Sequence, residues 1–162
     1  MRITRTGDAM WPVWGPRWIA FVRERRCSTH GCIPKDDVYL VKPSGSGMRR
    51  LTRAAIGARM FGFVPTGWSA NGHRLLAAFH GLGVGYAVAI DAGTGAVHRI
   101  EQASRATGGR SVDGVAISRD GTTILGVQPN PAGTEANVVA LPWHGGRPRL
   151  LARDAQTPSW SR

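Results

Sequence analysis

The hexapeptide Gly67-Trp68-Ser69-Ala70-Asn71-Gly72 organises the whole chain, because it is one of four copies of a pattern. The others are Pro12-Val13-Trp14-Gly15, Val115-Ala116-Ile117-Ser118-Arg119-Asp120-Gly121 and Pro158-Ser159-Trp160-Ser161. After each of the first three copies come an apolar run, a loop, a second apolar run, a Gly-rich turn and a basic-apolar tail. An earlier tail, Arg2-Ile3-Thr4-Arg5, precedes the first copy. The tails' apolar residues Ile3, Leu51, Ile100 and Leu150 recur at steps of 48, 49 and 50 residues. The middle runs end at Val41, Ile90 and Leu141, at steps of 49 and 51. Separate landmarks thus share one period, and a period of about 20–50 residues marks stacked supersecondary units.

Each unit supplies four short β-prone runs, here A to D, bounded by turn residues. The A runs are 12–14, 66–69, 114–118 and 157–161. The B runs are 18–22, 74–79 and 123–127, and the C runs are 37–41, 86–90 and 137–141. The D runs are 48–52, 96–100 and 147–151, with 2–5 as the earlier copy. Asn71-Gly72 and Asp120-Gly121 suit tight A–B hairpins, since these dipeptides tolerate positive φ; the first unit shortens this turn to Gly15-Pro16. Gly-rich C–D turns follow at 43–47, 92–95 and 143–146. A four-stranded antiparallel meander of this kind is a β-propeller blade. The expected fold is all-β: one partial propeller domain over 1–162, an arc of three blades at about 10–52, 64–100 and 113–151. Extra strands at 2–5 and 157–161 flank it. Such an arc closes only if the terminal strands share a reduced fourth blade or another chain completes it; a truncated reading frame is the third alternative. Open blade faces and edges predict self-association.

The 162 residues suffice for a sizeable core, and the 22 glycines and 10 prolines fall at the turns of the repeat. The net charge of +11 rests on arginine, since Lys35 and Lys42 are the only lysines. Basic charge favours polyanions through counterion release, but it makes a site only where it clusters. The B–C and D–A connections, on the face where propellers often bind, carry nine basic against six acidic residues. The opposite turns and D strands carry nine against two, Asp91 and Asp120. Most of the excess therefore lies along the D edge, where charge guards strands against pairing, and nucleic acid is not the expected partner. No apolar run is long enough to cross a membrane, and residues 1–12 lack the apolar core of an export signal.

Blade one reads Ile19-Ala20-Phe21, Asp37-Val38-Tyr39-Leu40, Ser44-Gly45-Ser46-Gly47 and Arg49-Arg50-Leu51-Thr52; blade two keeps Trp68-Ser69 and Asn71-Gly72. Blade three keeps Ser118, Asp120 and Gly121 but has Ile117 in place of Trp. In this order the motifs resemble the TolB-like family of WD-type propeller repeats over nearly the whole chain. The resemblance implies a propeller, often six-bladed and usually periplasmic or secreted, that binds or scaffolds. Related propellers cap serine peptidases. The chain is about half the length expected for the family.

Several residues invite a functional reading. Trp14, Trp68 and Trp160 share one repeat position and are expected to pack between blades; Trp143, in a turn, is the one expected in solvent. Cys27 and Cys32, flanking His30 in the first B–C loop, could form a small disulfide loop, remain free thiols or begin a zinc site. No second Cys/His pair at metal spacing supports the last of these. The other histidines form no motif. There is no Gly-x-Ser-x-Gly elbow and no phosphate-binding loop, and Gly81-Leu82-Gly83-Val84-Gly85 reads as a flexible loop. No catalytic residue and no cofactor are expected. Protein or peptide contacts are expected from the loops at 23–36, 53–65, 101–113 and 128–136. Their candidate contact residues are Arg23, Arg25, Arg26, Lys35, Arg59, Arg105 and Arg110. A fragment of a serine peptidase's propeller and a basic-edge polyanion binder are the alternatives.

Overall fold

The turns show why the repeat carries Ser, Asn or Asp, and Gly together. In the second unit the Ser69 carbonyl accepts from Gly72 N–H at 2.8 Å, and Ser69 N–H donates to the Arg74 carbonyl. The Ser69 hydroxyl accepts from Arg74 N–H and donates to Asn71 Oδ1, which also accepts from His73 N–H. The third unit repeats the arrangement with Ser118, Asp120, Thr122 and Thr123. Gly72 and Gly121 take φ of 69° and 72°, a left-handed conformation that costs glycine little. Asn71 and Asp120 hold the turn with their side chains instead.

A computed structural model describes residues 7–25, 35–53, 60–81, 84–100, 113–129, 135–143, 146–156 and 158. Among these no helix occurs, and therefore none is long and apolar enough to cross a membrane. The first unit is β1 (Ala9–Trp14), β2 (Ile19–Arg25), β3 (Lys35–Val41) and β4 (Arg49–Arg50). The second is β5 (Met60–Trp68), β6 (Arg74–Gly81), β7 (Val84–Asp91) and β8 (Val97–Arg99). The third is β9 (Asp113–Ile117), β10 (Thr123–Pro129), β11 (Ala136–Pro142) and β12 (Arg149–Ala152). Within each unit consecutive strands pair antiparallel. The expected four-stranded meanders are therefore present. One parallel bridge, Asp36 to Gly62, joins the first two units into a continuous sheet. The expected terminal strands at 2–5 and 157–161 lie outside the described residues, residue 158 apart.

Side-chain alternation puts two packing faces on every unit. Ala20, Val38, Leu40 and Leu51 of the first meet Trp68, Leu75, Ala77, Phe79, Val88 and Ile90 of the second. Leu76, Ala87, Ala89 and Ile100 of the second meet Ile124, Val139, Leu141 and Trp143 of the third. The same register step thus builds both interfaces. The outer faces of the two end units, which the arc reading expected to be open, are covered at several described residues. Ile19, Phe21 and Val41 on one, and Leu125, Val138 and Ala140 on the other, are buried. Among the described residues, large exposed apolar side chains are Trp11 and Trp14 on β1, Met48, Val97, and Leu150 and Leu151 on β12.

Three expectations change with the strand limits. β5 starts at Met60, so half of the expected 53–65 loop is strand; bulges at Met60/Gly62 and Pro65/Gly67 break the alternation that would have revealed it. In the glycine cluster, Gly81 and Gly85 are strand residues, with Gly81 opposite Val84 and His80 opposite Gly85. β2 and β3 run to Arg25 and from Lys35, so Arg23, Arg25 and Lys35 are strand residues.

The Asp120 turn yields a pH prediction. Hydrogen bonds from the hydroxyls of Ser118 and Thr122 and from Thr122 N–H hold its carboxyl at about 2, below the ordinary 3.8. Depressed folded-state ionisation contributes stability above the unfolded pKa of about 4, which is lost as pH falls towards the folded value. The Asp120 carboxyl ¹³C resonance should therefore titrate with a midpoint near 2. In Ser118→Ala the midpoint should move up towards about 4.

Candidate functional site

Antiparallel pairing sends all B–C and D–A connections out at one end of the units. The strand ends there are Arg25 and Lys35, Gly81 and Val84, and Pro129 and Ala136, each pair in register. β5 and β9 also begin there, at Met60 and Asp113. The three B–C connections, 26–34, 82–83 and 130–135, span nine, two and six residues on a constant frame. Connections of this kind are where a rigid scaffold usually carries its binding residues.

Of the candidate contact residues, Arg23 is the one whose side chain is described, and it is engaged. Its Nε and guanidinium donate to Asp8 Oδ2 at 3.0 and 2.9 Å, and it lies 5.2 Å from the centre of the Tyr39 ring. It braces β1 against the first unit's outer face rather than standing free in a loop. Arg25 and Lys35 close the β2–β3 hairpin opposite one another. Arg26, Cys27, Cys32, Arg59, Arg105 and Arg110 lie outside the described residues. Among the described residues no cluster of His, Cys, Asp or Glu could hold a metal.

Beneath the loop end sits a buried charge. Asp37 is 1% exposed and pairs with the Arg50 guanidinium at 2.6 Å. Arg50 also donates to the Thr52 carbonyl, and the Thr52 hydroxyl accepts from Val38 N–H. A buried carboxylate needs such partners, and these tie the D strand to the C strand of the first unit. One residue before Asp37, Gly62 approaches so closely that a Cβ on it would lie 2.1 Å from the Asp36 carbonyl oxygen. The meeting of the first two units at this end depends on that glycine.

Much of the basic D edge is also occupied. Arg49 stacks on Trp18 and donates to the Ala92 carbonyl of the second unit, and Arg74 stacks on Trp143. Exposed cations remain at Arg17, Lys42, Arg119, Arg147 and Arg149. The Arg74 contact belongs to a correction: Trp143, expected in solvent, is 7% exposed and packs between the second and third units. The opposite correction concerns Trp14, expected in the core but 64% exposed. Trp68, at the same repeat position, is 9% exposed. It covers Gly15, and its Nε1–H donates to the Val13 carbonyl at 3.1 Å. Trp160 lies outside the described residues. Neighbouring units decide these burials, which is why residue type and repeat position alone misplaced two of them.

No protein-family model matches the chain, and no curated protein does. Solved structures match its fold. TolB from Acinetobacter baumannii superposes over 93% of the chain with a TM-score of 0.62 and 19% identity. The chain spans only 34% of that TolB's length. A chain of a nidogen/laminin complex matches at a TM-score of 0.59 and 10% identity, over 90% of this chain and 48% of that one. An acylaminoacyl peptidase from Pyrococcus horikoshii matches at 0.56 and 15%, over 87% and 20%. Repeat, strand pairing and these superpositions agree that the chain has a β-propeller fold of the TolB type.

Proposed function

We propose that residues 1–162 form one partial propeller domain that binds a protein or peptide without catalysis, through the loops leaving the Arg25–Lys35 end. The observation that carries this is the contrast between constant strands and B–C connections of nine, two and six residues. A frame that repeats while its loops vary is suited to recognition. The likeness to TolB and to a chain of the nidogen/laminin complex supports a binding module. The likeness to the acylaminoacyl peptidase supports a second reading, a piece of a peptidase's propeller.

Replacing 26–34 and 54–59 with Gly-Ser segments of equal length tests the first reading. Cross-linking in extract from the source organism should capture a partner with the parent chain and lose it with the loop variant. Arg119→Gln, on the opposite turns, should retain it. Equal capture by parent and loop variant would refute the loop face. An in-frame Gly-x-Ser-x-Gly segment downstream in the gene would favour the peptidase reading.

A further inference from the structure

Antiparallel pairing also gathers the A–B and C–D turns at one end of the units, opposite the loop end. β1 and β2 close there at Trp14 opposite Ile19, β7 and β8 at Val97 opposite Ile90, and β9 and β10 at Ile117 opposite Ile124. Arg17, Lys42, Arg119 and Arg147 lie in turns of this end, and all four are exposed. The first two belong to the first unit and the last two to the third. From the second unit Arg74, at the start of β6, adds the guanidinium that stacks on Trp143. None of the four turn cations makes an ion pair among the described residues.

Two carboxylates share this end, and each is bonded back into its own turn. Asp91 Oδ1 accepts from Gly93 N–H and from the N–H and hydroxyl of Thr94. Asp120 accepts from the hydroxyls of Ser118 and Thr122 and from Thr122 N–H. The turn end therefore carries an excess of free cations, while its carboxylates are taken up in holding the turns.

Apolar side chains stand among those cations. Trp14 is 64% exposed; Met48, in the turn before β4, is 50% exposed; Val97, first residue of β8, is 41% exposed. Trp11, Leu150 and Leu151 lie further along β1 and β12. A soluble polyanion would neutralise the cations but leave the apolar side chains in water. An anionic bilayer surface takes both: its phosphates meet the basic groups, and apolar side chains enter the boundary beneath the headgroups. Tryptophan suits that boundary, because its ring is apolar and its N–H polar.

We propose that the turn end docks the protein on an anionic lipid surface, with the four turn cations at the lipid phosphates and Trp14, Met48 and Val97 in the headgroup layer. Charge complementarity selects the partner, and the interspersed apolar side chains select a bilayer among polyanions. The docking is peripheral and spans nothing. It goes beyond the loop-face reading and is independent of it, since the loops leave from the opposite end and would point away from the lipid.

The test sediments the full chain with vesicles of phosphatidylcholine containing about a third phosphatidylglycerol, in about 0.1 M salt. The chain should partition to these vesicles and stay in solution with pure phosphatidylcholine. Arg119→Gln combined with Arg147→Gln should weaken partitioning about tenfold or more, because each basic residue near an anionic surface contributes to it. Trp14→Ala combined with Met48→Ser should weaken it by about tenfold too, through lost apolar burial. Unchanged melting by circular dichroism shows that each variant is folded. Replacing 26–34 with a Gly-Ser segment should leave partitioning unaltered. Four outcomes would overturn the proposal. Two are failure of the parent chain to partition and equal partitioning to the neutral vesicles. The third is full partitioning of the Trp14/Met48 variant, which would assign the cations to a soluble polyanion such as a nucleic acid. The fourth is loss of partitioning on replacing 26–34, which would turn the loop end towards the lipid.

Discussion

Trp68→Ala lowers unfolding stability by about 4 kcal/mol, whereas Trp14→Ala, at the same repeat position, changes it by about 0.5 kcal/mol or less. Trp68 is 9% exposed, lies over Gly15 and donates to the Val13 carbonyl. Its truncation removes a large buried apolar area and leaves a cavity where two units meet. It also leaves a carbonyl between the units without its donor. Trp14 has little burial to lose. Denaturant unfolding followed by circular dichroism measures both without depending on the fluorescence of the ring removed. Trp68→Phe should fall between them, because it fills most of the volume but forms no hydrogen bond. Equal effects of Trp68→Ala and Trp14→Ala would contradict the packing between the first two units.

Gly62→Ala is expected to cost about 3 kcal/mol or more, an unusual loss for one added methyl group. Two causes combine. Gly62 has φ 145°, a conformation L side chains rarely adopt. The new Cβ would also stand 2.1 Å from the Asp36 carbonyl oxygen, at the parallel bridge that joins the first two units. The strand must withdraw, so amide protection around Asp36 and Gly62 should fall further than elsewhere. Gly45→Ala is the control: its φ is 84°, yet no atom lies within 4 Å of the added Cβ. It should cost about 1 kcal/mol, the conformational part alone. Similar losses at the two glycines would show that the close approach at Gly62 has no energetic weight.

The periodic part of this fold is written locally, and so it was legible. Alternating apolar runs mark the strands, and Asn71-Gly72 and Asp120-Gly121 mark the turns, because both signals depend on neighbours in sequence. What the sequence hid depends on neighbours in space. Trp14 and Trp68 look alike until one has a glycine of another unit beneath it and the other does not. Trp143 reads as a turn residue, yet the second unit and Arg74 cover it. Gly62 reads as an interruption in an apolar stretch, although the approach of Asp36 requires it. The role of Ser69 and Ser118 as hydrogen-bonding centres of their turns was visible only as a recurring letter. The candidate site divides in the same way. The repeat located the end from which the loops leave, whereas the engagement of Arg23 with Asp8 and Tyr39 depends on residues far along the chain.

The central claim is that the repeated units stack, with the tryptophan position of one unit laid against a glycine of the unit before it, as Trp68 on Gly15 and Ile117 by Gly67. The most direct test is a nuclear Overhauser measurement between the Trp68 indole and the Gly15 α-protons, 53 residues apart in sequence. The stacking predicts strong cross-peaks, with Gly15 α-proton resonances displaced well upfield by the ring above them. Gly15 α-protons at ordinary glycine shifts, with no cross-peak to Trp68, would contradict it.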